Sequence, residues 1–241
     1  MIRSVSIVAL SAMISLIGTM IGASIGIFIR KPSKRLLGAI MGFAGGLMLS
    51  VIVFDLIPEA VHKGGLLNTL IFYTIGILSV MFLDNVFSSK KSSNGNYIKV
   101  AFITALGLMF HNLPEGIIMG VGFLAGENLG IKMSLIIAIH DIPEGIAVTA
   151  PLMASNVKVN KILLYAFITA IPTALGAAFG VIAGSISNEI LGYCLALASG
   201  IMMYVVFAEL IPESNKLWRG NTNTLSILIG LTLGFIMVSL M

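Results

Sequence analysis

Long apolar runs are the feature of this chain that most limits what it can fold into. Eight runs, each close to 20 residues or longer, follow one another with only short polar breaks between them. They cover approximately residues 5–29, 36–60, 66–87, 99–125, 133–154, 162–185, 190–213 and 224–241. A transmembrane helix needs about 20 mostly apolar residues. The sequence therefore predicts an all-α integral membrane protein with eight transmembrane helices.

Composition agrees with that prediction. The chain is 58% hydrophobic and only 10% charged, whereas a soluble domain carries roughly 25% charged residues. The eight runs use nearly all of its 241 residues, so we expect a single transmembrane domain over residues 1–241. Residues 88–97, SSKKSSNGNY, are the polar exception and predict a short flexible cytoplasmic loop.

The basic residues predict the orientation in the membrane. Eleven of the 14 lysines and arginines lie in the loops after the first, third, fifth and seventh runs, and three lie on the opposite side: Arg3, Lys63 and Lys132. Cytoplasmic loops carry the excess of basic residues. We therefore expect both termini outside and a multi-pass protein in the cell membrane. The bias accounts for the net charge of +4, so no nucleic-acid partner is predicted.

A first internal repeat pairs residues 43–60 with residues 197–214 at a constant offset of 154. Both copies end in D/E-L-I-P-E, so that Asp55 corresponds to Glu209 and Glu59 to Glu213. The copies lie on runs two and seven, an odd number of crossings apart, which predicts an inverted repeat of helices 1–3 and 6–8, an arrangement typical of secondary transporters. We expect Asp55 and Glu209 to reach a transport pathway. The alternative is that these acids, Glu59 and Glu213 above all, are cap or interface carboxylates near helix ends.

A second repeat carries most of the ionisable groups. HNLPEG, residues 111–116, returns as HDIPEG, residues 140–145, on the fourth and fifth runs. Residues i and i+4 share a helix face, so each histidine should stand beside the glutamate of its own motif. The candidate ligands are His111, Asn112, Glu115, His140, Asp141 and Glu144.

A divalent cation is the ligand that this set of groups favours. A charged residue at the bilayer centre costs at least about 2.5–3.5 kcal/mol, so three clustered acids need a cation or protons to compensate them. Imidazole, carboxylate and amide groups suit zinc, iron(II), manganese or cadmium, and two carboxylates, Glu115 and Glu144, can bridge a pair of ions. Metal binding should displace protons. The alternative is a set of structural histidines and proline kinks.

HNLPEG followed by HDIPEG resembles the ZIP (Zrt-, Irt-like) family of metal transporters, in particular its bacterial ZupT-like branch, and the resemblance covers all eight runs. It implies uptake of a divalent metal into the cytoplasm, across a bacterial inner membrane, through a binuclear site. By motif position it implies one site from His111, Glu115, His140 and Glu144, and a second from Asn112, Glu115, Asp141 and Glu144.

Two departures from the family pattern leave the number of bound ions open. Relatives usually carry S-G-L-A-E-P-L-G on the sixth helix, whereas this chain has TAIPTALG, residues 169–176, with Thr173 where the glutamate would stand. The fifth-helix amide common in the branch is an aspartate here, Asp141. Compared with the family pattern, the acid is thus on the fifth helix instead of the sixth. Whether the site binds one ion or two remains open.

The function predicted from these features is divalent cation transport, zinc first and iron(II), manganese or cadmium as further substrates. No cofactor is expected; the partners are the metal ion, the lipid bilayer and, as a candidate assembly, a second copy of the chain. The alternative is a membrane-embedded metal-dependent hydrolase, which the sequence disfavours because it contains no H-E-x-x-H pattern.

Overall fold

The computed structural model describes residues 2–29, 33–88, 97–154 and 157–240. Over these residues the chain is helical, which confirms the all-α prediction. The helices are α1 (Ile2–Ile29), α2 (Lys34–Val51), α3 (Ile57–Gly64), α4 (Leu66–Ser88), α5 (Tyr97–Ala125), α6 (Glu127–Ala154), α7 (Val159–Gly184), α8 (Asn188–Val205), α9 (Ile211–Leu217) and α10 (Asn221–Leu240). Two π-helical segments, Ile52–Leu56 and Val206–Leu210, join α2 to α3 and α8 to α9.

These helices follow the predicted apolar runs closely. The second run is α2, the first π segment and α3 in continuous succession; the seventh run is α8, the second π segment and α9. Among the described residues, five helices are long and apolar enough to cross a membrane: Val5–Ile29, Lys34–Gly64, Val159–Gly184, Asn188–Leu217 and Asn221–Ser239. The predicted loop 88–97 falls on residues 89–96, which lie outside the described ranges; α4 ends at Ser88 and α5 begins at Tyr97.

The repeat with offset 154 has the same local structure in both copies. Ser33 and Ser187 cap the N-termini of α2 and α8, accepting hydrogen bonds from the backbone N–H groups of Leu36 at 3.1 Å and Ile190 at 3.2 Å. The π segments also start and end at positions 154 apart. An N-cap hydroxyl satisfies an N–H that has no partner within the helix. The two copies of the repeat therefore have the same N-cap and the same π segment because their sequences are similar.

Proline explains why the π segments lie where they do. Pro58 and Pro212 each stand two residues after a π segment ends, and a proline clashes with the carbonyl four residues before it. The preceding residue, Ile57, bonds to the carbonyl of Ile52, five residues back rather than four, and Ile211 bonds to Val206 in the same way. The widened turn makes room for the proline ring without ending the helix.

Glycine lets the helices approach in pairs. A Cβ added to Gly116 would overlap the carbonyl oxygen of Thr173, and one added to Gly176 would overlap that of Leu113, so α5 and α7 touch backbone to backbone. Small residues give this kind of packing in lipid, where no hydrophobic effect drives helices together. The corresponding glycines are Gly18 and Gly145 for α1–α6, Gly46 and Gly230 for α2–α10, and Gly76 and Gly200 for α4–α8.

The close pairs divide the helices into two groups. Helices α1, α5, α6 and α7 form what we call the site group, since α1 also packs against α7. The remaining helices, α2–α3, α4, α8–α9 and α10, form the flanking group. The groups meet where α5 packs against α8 and α2 against α6. A shared core fills this interface, and its largest buried side chains include Leu47, Ile118, Ile136 and Leu195.

Candidate metal centre

Three ionisable side chains from the two motifs converge between α5 and α6. The imidazole Nε2 of His140 lies 3.2 Å from a carboxylate oxygen of Glu144 and 3.4 Å from one of Glu115. One ligand atom from each of the three lies within 4.8 Å of the other two, and all three side chains are buried. The i, i+4 spacing thus places His140 beside Glu144 as predicted, and the second helix adds Glu115.

These separations match those of ligands around one metal ion. With metal–ligand bonds of about 2.1 Å and tetrahedral angles, neighbouring ligand atoms around zinc stand about 3.4 Å apart. The two distances to the His140 Nε2 atom, 3.2 and 3.4 Å, fall at that value. The same Nε2 atom cannot carry a proton and ligate a metal. A cation bound at this atom would therefore exclude a proton from it.

The cluster lies at the middle of α6 and in the second half of α5. His140 has 13 residues of α6 before it and 14 after it, and Glu115 has ten residues of α5 beyond it. Helix α5 continues through Pro114 without ending. A helix of 28 residues, the length of α6, is about 42 Å long, so either end of α6 is about 20 Å from His140.

Three further candidate residues, Asn112, Asp141 and Thr173, are also buried. The side-chain amide of Asn112 donates to the carbonyl oxygen of Thr169 at 2.7 Å, which fixes the amide orientation. Its Oδ1 atom is buried and accepts no hydrogen bond from the described residues. The carboxylate of Asp141 lies next to those of Glu115 and Glu144. A buried oxygen without a donor is costly, which suits a position beside a cation.

Helix α1 contributes a residue that the motif analysis missed. The Ser15 hydroxyl donates to Thr173 Oγ1 at 3.3 Å and also lies against Asp141. Ser11 and Thr19, one turn away on either side, are buried on the same face of α1. Three hydroxyl residues at a spacing of four in an apolar run were the available sequence signal, because polar side chains in a membrane helix favour the bundle interior.

The predicted pathway acids lie away from this cluster, and one predicted ligand has no described side chain. The side chain of His111 is outside the part of the chain that the structure describes. Asp55 pairs with Lys132 at 3.3 Å, Glu59 with Lys63 at 3.1 Å and Glu213 with Lys216 at 3.1 Å. The structure brings none of these three into the cluster around His140.

Glu209, in the second π segment, is exposed. Its repeat counterpart, Asp55, is largely buried, with a side-chain exposure of 14%. The two acids that occupy equivalent positions in the repeat thus have different surroundings. The participation of either acid in a pathway remains a prediction.

Comparison with known proteins agrees with this chemistry. A family model described as "ZIP Zinc transporter" matches residues 87–241, which include α5 and α6. A protein named zinc transporter ZupT from Enterobacter sp. (strain 638) is 28% identical over 228 residues, covering 89% of each chain. Proteins of the same name from Escherichia coli O7:K1 (strain IAI39 / ExPEC) and strain K12 / DH10B are each 29% identical over 237 residues, covering 92% of each chain.

Proposed function

The chain belongs to the ZIP zinc transporter family, and from that membership we propose that it carries divalent cations into the cytoplasm through the cluster between α5 and α6. Zinc is the first substrate, in keeping with the names of its relatives, and iron(II), manganese and cadmium are further substrates. Membership of a transporter family decides against the alternative of a membrane-embedded hydrolase. The protein is a multi-pass membrane protein.

The observation that carries this proposal is the buried triad of Glu115, His140 and Glu144. One imidazole and two carboxylates form a donor set that zinc binds tetrahedrally, with one position left for water or a further ligand. Iron(II), manganese and cadmium accept the same donor types. His111 is the further ligand that the family resemblance implies.

A second ion beside the first is also part of the proposal. Its candidate ligands are Asn112 Oδ1, Asp141 and the two glutamates. Thr173 supplies a hydroxyl where relatives carry a carboxylate, and this hydroxyl already accepts a hydrogen bond from Ser15. We therefore expect the second ion to bind more weakly than the first, because a neutral hydroxyl replaces a charged ligand.

Inverted symmetry with eight membrane spans is the architecture that we propose for transport. The repeat relates α1 to α7, α2 to α8, α4 to α10 and α5 to α6, and under this exchange the close pair α5–α7 becomes α6–α1. The pair α2–α10 likewise becomes α8–α4. Both members of each exchange are observed as close pairs, which supports the symmetry. The distribution of basic residues supports placing both termini outside.

Alternating exposure of the cluster to the two sides follows from this architecture. The site group is held together by backbone contacts between glycines and carbonyl oxygens, so it would move against the flanking group with the ligand set intact. A bacterial inner membrane is the proposed location, and a homodimer is the proposed assembly. Light scattering of the purified protein would test the dimer against the mass of 25.5 kDa for a single chain.

Uptake of radioactive zinc into proteoliposomes tests the proposal. We expect His140→Ala and Glu144→Gln each to abolish flux, because each removes a ligand from a triad. Glu189→Gln, which also removes one carboxylate but at an exposed position in the first turn of α8, is the matched control and should retain flux. Equal zinc uptake by wild type and both site variants would reject the site, and zinc leakage equal to that of empty liposomes would reject transport.

A further inference from the structure

An ion pair joins the two helix groups at one end of the molecule. The Nζ atom of Lys132, on α6, lies 3.3 Å from Oδ2 of Asp55, in the first π segment. Lys132 also donates to the backbone carbonyl of Val238 on α10 at 3.3 Å. The side chains of Lys132 and Asp55 are only 11% and 14% exposed. One lysine of the site group therefore holds two elements of the flanking group.

Lys132 stands above the metal ligands on the same helix face. The stripe of α6 at intervals of four contains Lys132, Ile136, His140 and Glu144, and residues four apart are neighbours on a helix surface. Eight residues from Lys132 to His140 correspond to about 12 Å along the axis. Ile136, between them, is fully buried. The ion pair therefore joins the two helix groups at a point two helical turns from the cluster.

The interface below the ion pair is apolar. A crevice of about 420 Å³ separates α2 from α6, lined by Ala39, Ile40, Phe43, Ile139, Ile142 and Ile146. Side chains of this kind make no directional contact that would fix one helix against the other. Lys132, in contrast, contacts two oxygen acceptors from a largely buried position, and the strength of such contacts depends on distance and geometry. Lys132 thus makes directional contacts between the two helix groups, which the crevice side chains do not.

The ion pair is present in one half of the repeat and has no sequence equivalent in the other. The offset of 29 relates Lys132 to position 103, which is an isoleucine. The offset of 154 relates Asp55 to Glu209. Isoleucine cannot form an ion pair with an acid, so the inverted repeats differ at this point. A contact that joins the two helix groups favours the conformation in which they stay close together at that point.

We propose that the Asp55–Lys132 pair is a latch between the two helix groups, which holds the end of the molecule where α5 meets α6 closed over the metal centre. The inference rests on the proposed transport function and on the proposed orientation, which makes this end the outer one. Breaking the latch shifts the population toward states in which the outer end is open. Lys132 is thus a positioning residue for transport, since it contacts neither the triad nor the metal.

Thiol labelling tests the latch without any metal. In a Cys194→Ala background, which removes the single native thiol, Ile136→Cys places a reporter one turn from Lys132. A membrane-impermeant thiol reagent is added to the outer side of reconstituted protein. We expect Lys132→Met and Asp55→Asn each to raise the labelling rate at least about fivefold, the lower end of typical coupling between conformational states. Lys132→Arg keeps the charge, so in this variant the reporter should be labelled at a rate close to that in the protein with Asp55 and Lys132 unchanged.

Lys63→Met is the matched control. It removes a lysine from the same end of the molecule, but the Glu59–Lys63 pair lies within α3 and joins no helices. We expect labelling of the reporter to be unchanged. An equal increase with Lys63→Met, or none with Lys132→Met and Asp55→Asn, would overturn the latch.

Zinc uptake by the same variants without the reporter is an independent measurement, in case Ile136→Cys does not fold. If the two residues act as one contact, the double variant should change the initial uptake rate no more than either single variant. Additive effects would overturn the latch. Absence of uptake in the wild type would instead reject the proposed function, and the labelling result would still decide on the latch.

Discussion

Gly116→Ala tests whether the packing of α5 against α7 sets the geometry of the metal centre. An alanine Cβ at this position would lie 2.7 Å from the carbonyl carbon of Thr173, whereas ordinary contact begins at 3.4 Å. The overlap with the carbonyl oxygen of Thr173 is closer still, so the helices would have to separate by more than about 0.7 Å, the difference at the carbon alone. Metal–ligand distances tolerate only about 0.2 Å, and Glu115 is the neighbouring residue. The substitution should therefore weaken metal binding from a position that touches no metal.

The expected magnitudes follow from the same geometry. Overpacking costs about 1–3 kcal/mol, and replacing a helical glycine by alanine returns about 0.5–1 kcal/mol. We expect Gly116→Ala to lower the free energy of unfolding by about 1–2 kcal/mol. Zinc affinity should fall at least about tenfold, which corresponds to 1.4 kcal/mol.

Gly122→Ala is the matched control on the same helix. Its Cβ would meet the nearest atom, the Cα of Gly130, at an ordinary 3.4 Å, so it should gain the helix propensity without the overlap. Thermal unfolding in detergent and zinc titration against a competing chelator measure both variants. Wild-type zinc affinity in Gly116→Ala, or equal stability of the two variants, would refute the reasoning.

Three further predictions concern protons, the second ion and the repeat. Zinc binding should release protons, so affinity should rise with pH and the binding enthalpy should depend on the ionisation enthalpy of the buffer; a binding enthalpy independent of buffer would contradict this. Thr173→Glu should raise the zinc stoichiometry measured by calorimetry from one to two, and without metal it should lower the melting temperature, because it buries another carboxylate; an unchanged stoichiometry would show that the hydroxyl is not what weakens the second position. Ser33→Ala and Ser187→Ala should each cost about 1 kcal/mol of stability, equally because their caps are equivalent, and clearly unequal losses in chemical unfolding would argue against that equivalence.

Much of the fold and the core of the site could be predicted from local patterns. Apolar runs predicted the helices, and the i, i+4 spacing predicted that His140 stands beside Glu144, at 3.2 Å in the structure. Glu115 joins them because the two motifs repeat at similar depths on consecutive helices. These features depend on residues close in sequence or related by a repeat.

Contacts between distant parts of the chain could not be predicted in the same way. Asp55 and Lys132 are separated in sequence by all of α3, α4 and α5, and their pairing depends on how α2 packs against α6. Ser15 reaches Thr173 across 158 residues, and neither lies in one of the two histidine motifs. The π segments were also missed, since a proline in sequence indicates a lost hydrogen bond without specifying how the helix accommodates it.

The widened turns before Pro58 and Pro212 lie near one end of two long helical segments, Lys34–Gly64 and Asn188–Leu217. Each holds one residue more than an ordinary helical turn, and an α-helix rotates by about 100° per residue. If such a turn changed to ordinary α-helical hydrogen bonding, the helix beyond it would rotate through about that angle, and the helical segment would remain continuous. Asp55 and Glu209 lie inside these turns, so such a change would also alter the direction in which each acid points.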